Sequence, residues 1–168
     1  IFVSVQSNRN IKPIWINNQF FVHEEYYSFE KTPDIHYYEF FSIGPKGNIR
    51  KVIQYQQINI EENVYNLGFG DFDPSTKEIS DLTTSNNLDT KKVLTTVARA
   101  VLDFIHKHPQ VIVMAKGSTA SRTRLYQMGI AEFWEDIQEI FKVKAYYKDR
   151  WESFERGKNY DAFFIFKK

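Results

Sequence analysis

The stretch VIVMAKGSTASRTRLYQMGI, residues 111–130, decides how the chain folds. Its first five residues are all apolar, which is typical of a short strand that is covered on both faces. Gly117 ends this run, and small polar residues then lead into an amphipathic helix that we predict from about Ala120 to Phe141. Gly129 lies inside this helix, where glycine costs ~1 kcal/mol relative to alanine, so it marks either a kink or a boundary between two helices. The predicted inward face comprises Leu125, Ile130, Phe133, Trp134, Ile137 and Phe141.

Another amphipathic helix comes before the apolar strand. Apolar residues recur at three- and four-residue spacing from Val93 to Ile105. Asp89 and Thr90 are candidate N-caps for this helix, and the sequence KHP closes it at residues 107–109. After the second helix, KVKAYYK and YDAFFIFKK predict two strands joined by a polar loop.

The first half of the chain reads as strands separated by turns. QFFVHEEYYSF (residues 19–29) and IHYYEFFSI (residues 35–43) are rich in aromatic residues, and GPKGN follows them as a turn. DPST at residues 73–76 is a type I turn signal, because proline fixes φ and aspartate bonds the following amides. We therefore expect an antiparallel meander of at least three strands from Ile49 to Ser85.

This order of elements predicts one α+β domain over residues 1–168, with a mixed, mostly antiparallel sheet and two main helices. Residues 1–47 would supply aromatic-rich strands, and residues 48–168 the core. The length of 168 residues fits one domain. Without cysteine, the chain has neither disulfides nor thiolate metal sites, and this suits a cytoplasmic location. No apolar run approaches the ~18 residues of a membrane span, so we expect no membrane partner.

Positive charge is concentrated in one segment, although the formal net charge is only +1. Between Asp103 and Glu132 there is no acidic residue. The same interval contains Lys107, Lys116, Arg122 and Arg124. A field of one sign raises the local concentration of anions, so this segment is either an anion-binding region or a solvated basic face.

The junction between the apolar strand and the second helix is the candidate anion site. Free N–H groups and the positive end of the dipole at a helix start attract anions. Gly117 would admit a ligand closely, Ser118 and Thr119 add hydroxyl donors, and Lys116 and Arg122 add charge. In the alternative interpretation, Ser118 or Thr119 only caps the helix and Arg122 pairs with an acid elsewhere. Arg124 points to another side of the helix and is a secondary candidate.

The order of elements resembles the Gcn5-related N-acetyltransferase (GNAT) fold. KEISDLTTSNNLDTKKVLTTVARAVLDFI (residues 77–105) resembles the fourth strand and following helix of that family. QVIVMAKGSTASRTRLYQMGI (residues 110–130) resembles the fifth strand and the next helix, which in that family often ends in Leu-Tyr-x-x-x-Gly-Phe. The resemblance implies the order strand, strand, strand, helix, strand, helix, strand, strand over residues 48–168. It also implies acetyl-CoA as cofactor and Tyr126 as the acid that protonates the leaving thiolate.

Three features depart from that family. Its diphosphate-binding turn is rich in glycine, whereas TSNNLDTKK at residues 84–92 has none and places Asp89 where a diphosphate would lie. Three residues separate the tyrosine from the glycine in the family motif, whereas two residues separate Tyr126 from Gly129. The two helices that shape the acceptor site are replaced here by aromatic strands.

The whole chain also resembles a bacterial family of uncharacterised proteins seen chiefly in Bacteroidetes. YNLGFGD (residues 65–71), GSTASRTRLYQMGI (residues 117–130) and GKNYDAFFIF (residues 157–166) carry this resemblance. It implies no activity.

Two functional hypotheses follow. In the first, the chain is a binding module that uses an anion site at Gly117 to Arg122 to hold a small anionic ligand, a protein or a nucleic acid. In the second, it is an acyl-CoA-dependent N-acyltransferase with Tyr126 as general acid. We favour the first, because the main coenzyme anchor is missing. Asp71 and Asp73 form a secondary candidate, either for a divalent cation or base, or as ordinary turn residues. No zinc-binding pattern is present, so no metal is expected.

Overall fold

The computed structural model describes residues 24–32, 36–80 and 85–168, which form three helices and nine strands. The strands are β1 (Glu30–Lys31), β2 (Tyr37–Gly44), β3 (Gly47–Asn59), β4 (Val64–Asp73), β5 (Glu78–Ser80), β6 (Ile112–Ala115), β7 (Phe141–Tyr147), β8 (Arg150–Ser153) and β9 (Ala162–Lys167). The helices are α1 (Thr90–Lys107), α2 (Ala120–Glu132) and α3 (Trp134–Ile140). The predicted α+β class is confirmed.

All strands belong to one mixed sheet with the order β1-β2-β3-β4-β6-β9-β7-β8, and β5 pairs with β4. The predicted meander is confirmed, because β3, β4 and β5 pair in antiparallel fashion. Helix α1 crosses over from this meander to β6, which pairs in parallel with β4. The apolar strand β6 therefore lies in the interior of the sheet, between β4 and β9.

One side of the sheet, which we call the helical face, carries the helices and the main core. Alternation along the strands places Tyr38, Tyr55, Leu67 and Phe163 on this face, since residues two apart point the same way. Phe104 of α1 is fully buried and stacks on the Tyr55 ring, with centroids 3.8 Å apart. Burying a large side chain of this kind contributes about 1.5–3 kcal/mol, so the α1 contact is a major source of stability.

No helix of the described residues packs on the opposite side, which we call the helix-free face. It includes Gln54, Asn66, Met114, Lys144 and Phe164, which alternate along their strands with the buried helical-face residues. The prediction that β6 is covered on both faces is wrong. Ile112 and Met114 alternate with its buried residues and stay only half-buried, because none of the three described helices covers them.

The second predicted helix is two helices, so the described chain has three rather than two. The break falls at Phe133, between α2 and α3, and not at Gly129. Phe133 leaves helical geometry with φ −103° and ψ 21°, and its side chain is buried. Gly129 instead lies next to α1, where an added Cβ would be 3.8 Å from Leu94. Phe141, predicted to end the helix, begins β7.

Two further predictions need correction. The strand predicted over Gln19 to Phe29 is not a strand over residues 24–29, and residues 19–23 lie outside the described residues. Tyr27 donates its backbone N–H to Thr96 Oγ1 of α1, at 2.9 Å, instead of to a neighbouring strand. The predicted polar loop between the last two strands contains β8, which pairs with β7. The observed order thus differs from the predicted one by α3 and β8.

None of the helices in the described part of the chain is long and apolar enough to cross a membrane.

Candidate functional site

The two parallel strands β4 and β6 part from each other at one end and leave a cleft. Their ladder ends at the pair Asn66 and Met114, although β4 continues to Asp73. The opening, which we call the strand cleft, has a volume of about 200 Å³. It is lined by Gln54, Asn66, Leu67, Gly68, Phe69, Ile79, Lys116, Gly117, Arg122 and Tyr126. Ligands of open α/β sheets collect at the carboxyl ends of parallel strands, which is where this cleft lies.

The turn from β6 into α2 brings two predicted site residues together. Lys116 and Arg122 both line the strand cleft, although five residues separate them in the chain. Gly117 allows this turn, because an added Cβ would lie 2.3 Å from Arg122 Cβ and 2.5 Å from Thr123 N. The glycine therefore accommodates the close approach of α2. Close approach of a ligand to Gly117, which also lines the cleft, stays a prediction.

The start of α2 is partly satisfied by its own side chains. Thr119 is the N-cap, and its hydroxyl accepts the Arg122 N–H at 3.3 Å. Gly117 N–H donates to Thr123 Oγ1 at 3.1 Å. Ser118 and Thr119 are exposed, as the anion-site prediction requires. Anion binding by this turn remains a prediction, and it would use Ser118 and the two cationic side chains more than the Gly117 amide.

Tyr126 lies at the inner end of the strand cleft. Its hydroxyl donates to the Leu67 carbonyl at 3.1 Å, at the first β4 residue beyond the parallel ladder. Tyr126 also lines an apolar space of about 60 Å³ between α1, α2 and the helical face. The tyrosine thus separates a polar opening from an apolar one.

The remaining cations of the basic segment lie elsewhere. Arg124 donates to the Asn159 side chain, as its position on another side of the helix predicted. Lys107 pairs with Asp103 on α1 at 2.9 Å. The segment is therefore not one continuous basic surface, and only Lys116 and Arg122 face the strand cleft.

Asp71 and Asp73 have local partners. Asp71 pairs with Lys51, a buried lysine that also donates to Ser85. Asp73 accepts the backbone N–H and the hydroxyl of Ser75, and these hydrogen bonds lower the pKa of its carboxyl. Among the residues that the structure describes, no three His, Asp or Glu side chains are grouped to hold a metal ion.

The start of α1 forms a second cavity next to the strand cleft. It has a volume of about 100 Å³, and its lining includes Lys51, Thr90 and Arg122. Asp89 is the N-cap position, but its carboxylate makes no capping bond. It accepts from Ser42 Oγ at 2.6 Å and from the Tyr27 hydroxyl at 2.9 Å, so it is held against β2. Burial, together with the hydrogen bond to Asp89, raises the pKa of the Tyr27 phenol.

Several residues at these cavities gave little or no signal in the sequence. Asn86 and Leu88 have positive φ angles of 43° and 60°, so the turn before α1 bends without glycine. Asparagine tolerates this conformation, whereas leucine rarely adopts it and nothing in the sequence indicates it. Lys51 looked like one residue of an alternating strand. Its place beside Asp71, Ser85 and the second cavity depends on contacts between distant segments.

The chain belongs to a family of unknown function (DUF6934), which matches it over residues 23–168. The predicted membership of a family without known activity is confirmed, whereas the bacterial range and the acetyltransferase resemblance stay predictions. A search of curated proteins and a search of solved structures found no match.

Proposed function

We propose that this member of the family binds a small anionic ligand, such as a phosphate ester, in the strand cleft. The proposal rests on one observation above all: Lys116 and Arg122 converge on an opening where the parallel strands β4 and β6 part. The two cations are six positions apart in sequence and line one cavity of about 200 Å³. Charge-assisted hydrogen bonds from lysine and arginine to an anion are roughly twice as strong as neutral ones.

The lining residues also provide polar contacts for the rest of a ligand. Gln54 and Asn66 line the cleft from the helix-free side, and both have amide groups that donate and accept hydrogen bonds. Gly68, which pairs in register with Gln54 on the same face, leaves room, since an added Cβ would meet only the Gln54 carbonyl at 3.6 Å. An anionic group at Arg122 and a neutral polar group near Asn66 would therefore fit together.

Arg122 gives the experiment a matched control, because Arg124 lies two residues away on the same helix and faces Asn159 instead. We expect inorganic pyrophosphate or ADP at about 100 times its dissociation constant to add ~2.7 kcal/mol of apparent stability. For a domain of this size the melting temperature would rise by about 5 °C or more. Arg122→Gln and Lys116→Gln should remove most of the shift, whereas Arg124→Gln should keep it. No shift with the wild-type protein, or an equal loss in Arg124→Gln, would refute the proposal.

A second candidate is acyl transfer from an acyl-CoA to an amine, and the position of Tyr126 favours it. The Tyr126 hydroxyl lies at the point where the strands part, 3.1 Å from the Leu67 carbonyl. Apolar space between α1 and α2 meets the strand cleft at this tyrosine, and Arg122 lines both the cleft and the cavity at the start of α1. An acyl-CoA is long, with a thioester at one end and phosphates toward the other. It would fit these adjacent spaces, of which one is apolar and the others include cationic side chains in their lining. The neutral amine would attack the thioester carbonyl, the C–S bond would break, and the departing thiolate would take the Tyr126 proton. The proton that the amine nitrogen loses would pass to water, and water would return one to the tyrosinate.

Acetyl-CoA separates the two candidates. If acyl transfer occurs, millimolar acetyl-CoA should raise the melting temperature, and Tyr126→Phe should keep that shift while thiol release to an amine acceptor falls by about 100-fold or more. If the protein binds only small anions, pyrophosphate should stabilise it and acetyl-CoA should do no more than its phosphate groups alone. The absence of any acetyl-CoA shift would eliminate the transferase.

A further inference from the structure

A second surface with binding chemistry lies on the helix-free face, where β9, β7 and β8 run side by side. The strand register places Phe164 opposite Lys144 and Phe166 opposite Lys142. On the other side of β7, Tyr146 is opposite Trp151. Side chains on one face of a strand recur about every 6.6–6.8 Å, so Lys142 and Lys144 form a row on β7 beside the row of Phe164 and Phe166 on β9. We call Lys142, Lys144, Trp151 and Phe164 the aromatic–lysine platform.

Trp151 is held in place and yet exposed. Its indole stacks on the Phe164 ring, with centroids 4.0 Å apart and planes 11° apart. The Tyr146 ring contacts it from the side, at 5.1 Å. Even so, 40% of Trp151 is accessible to solvent. One face of the indole is therefore fixed against the protein, and a planar group can stack on the other at little cost in side-chain entropy.

The platform lysines have no acidic partner in the part of the chain that the structure describes. Among the described residues neither Lys142 nor Lys144 has an acidic partner within 4.0 Å. Their neighbours in register are Phe166, Phe164 and Ser153. Acids approach the platform at its Tyr146 end, where the Tyr146 hydroxyl donates to Asp149 at 3.4 Å and Asp161 donates its backbone N–H to the Tyr146 carbonyl at 3.0 Å. The half of the platform around Lys142 is thus positive.

We propose that the aromatic–lysine platform binds single-stranded nucleic acid, with a base stacked on Trp151 and the phosphates near Lys142 and Lys144. Base stacking on an exposed aromatic ring beside a line of cations is the usual mode of single-strand binding. A duplex keeps its bases stacked inside and cannot offer them to a flat sheet. Lysine is depleted in the centre of protein–protein interfaces, so these two lysines disfavour a protein partner. This function is separate from the strand cleft, because it uses other residues.

The test measures binding of fluorescein-labelled oligo(dT) and oligo(rU) of about 15 nucleotides to the full chain by fluorescence anisotropy. The logarithm of the association constant decreases linearly with the logarithm of the salt concentration. For a single strand, the steepness of this line decreases by about 0.7 for each phosphate contact that is removed. The double variant Lys142→Gln/Lys144→Gln should therefore lower the slope by about 1.4. Trp151→Ala should weaken binding about fivefold or more, and Trp151→Phe, which keeps a ring, should recover part of the loss.

A matched control removes the same charge elsewhere. Lys46→Gln/Lys77→Gln changes two exposed lysines in the β2–β3 and β4–β5 turns, and β6 lies between the strands of these turns and the platform strand β9. We expect the dependence of the binding constant on salt to stay within about 0.3 of the wild-type slope, because neither lysine would contact the bound oligonucleotide. The melting temperature of each variant verifies that it is folded.

Three results would overturn the proposal. The first is no binding of either oligonucleotide by the wild type at about 50 mM salt, where contacts with phosphates are strong. The second is an equal loss in the control variant, and the third is duplex DNA binding as tightly as the single strand. A wild-type dimer that Trp151→Ala converts to monomer, without oligonucleotide binding, would assign the platform to contacts between copies instead.

Discussion

The two faces of the sheet differ most clearly at two neighbouring residues of β2. Tyr38 points to the helical face, is fully buried and donates its hydroxyl to Asp103 of α1 at 2.9 Å. Tyr37 points to the helix-free face, is half-buried and accepts from Arg50 at 3.5 Å. A change of one residue along the strand thus moves a tyrosine from a structural contact to a surface contact. We infer that contacts on the helical face contribute more to the stability of the fold than contacts on the helix-free face.

The largest expected difference between the faces concerns phenylalanine. Phe104→Ala would remove the ring that stacks on Tyr55 and would destabilise the protein by about 3–5 kcal/mol. Phe166→Ala on the helix-free face would cost only about 1 kcal/mol, because that ring is already partly in water. Urea unfolding followed by circular dichroism measures both. Equal losses would mean that the helix-free face is as important for stability as the core.

The tyrosine pair gives the next largest difference. Tyr38→Phe would remove a hydrogen bond to a charged carboxylate and would cost about 1.5–3 kcal/mol. Burial alone would raise the pKa of Asp103, but hydrogen bonds from Lys107, Lys31 and Tyr38 outweigh it and lower that pKa. Tyr37→Phe should change the free energy of unfolding by less than about 0.5 kcal/mol. The comparison fails if Tyr37→Phe costs as much as Tyr38→Phe.

Two glycines beside the strand cleft extend the comparison to backbone packing. Gly117→Ala would place a Cβ 2.3 Å from Arg122 Cβ, and overpacking of this kind costs about 1–3 kcal/mol. Gly68→Ala would meet only the Gln54 carbonyl at 3.6 Å and should cost less than about 0.5 kcal/mol. Thermal unfolding of the two variants decides this. A Gly117→Ala protein as stable as the wild type would show that α2 can shift away from β6.

The smallest effect concerns pH. Burial, together with the positive charges of His36 and Lys107, lowers the pKa of His108 below its ordinary value of 6.5. A histidine with a lowered pKa in the folded state stabilises the protein above 6.5, and this contribution is lost as the pH falls through that value. The free energy of unfolding should therefore decrease between pH ~8 and pH ~5, and less so in His108→Gln. Parallel pH curves for the two proteins would contradict the prediction.

The sequence predicted best what depends on local pattern. The spacing from Val93 to Ile105 predicted α1 because one face of a helix must be apolar to pack. The sequence pattern did not predict β8, because RWES is short and mostly polar and becomes a strand only by pairing with β7. It placed the helix break at Gly129 because glycine is a weak helix former. The chain bends at Phe133 instead, where the buried ring contributes to the core.

The candidate site could be predicted only in part, because local sequence patterns do not show which distant segments pair. The turn at Gly117 was visible as a break between an apolar run and a helix. The strand cleft was not, because it exists where β4 and β6 part, and that pairing joins residues 64–66 to residues 112–114. Gln54 and Asn66 enter the site only through this pairing, and polar residues on a strand give no local sign of it. The family match adds no activity to this picture.

The ends of the described sheet affect how separate molecules meet. Its outermost strands are β1, with two residues, and β8, with four residues that include Arg150 and Glu152. Such short or charged margins offer few unpaired amides for another chain to extend the sheet. Fibre-like growth by strand addition is thereby disfavoured even in concentrated solution.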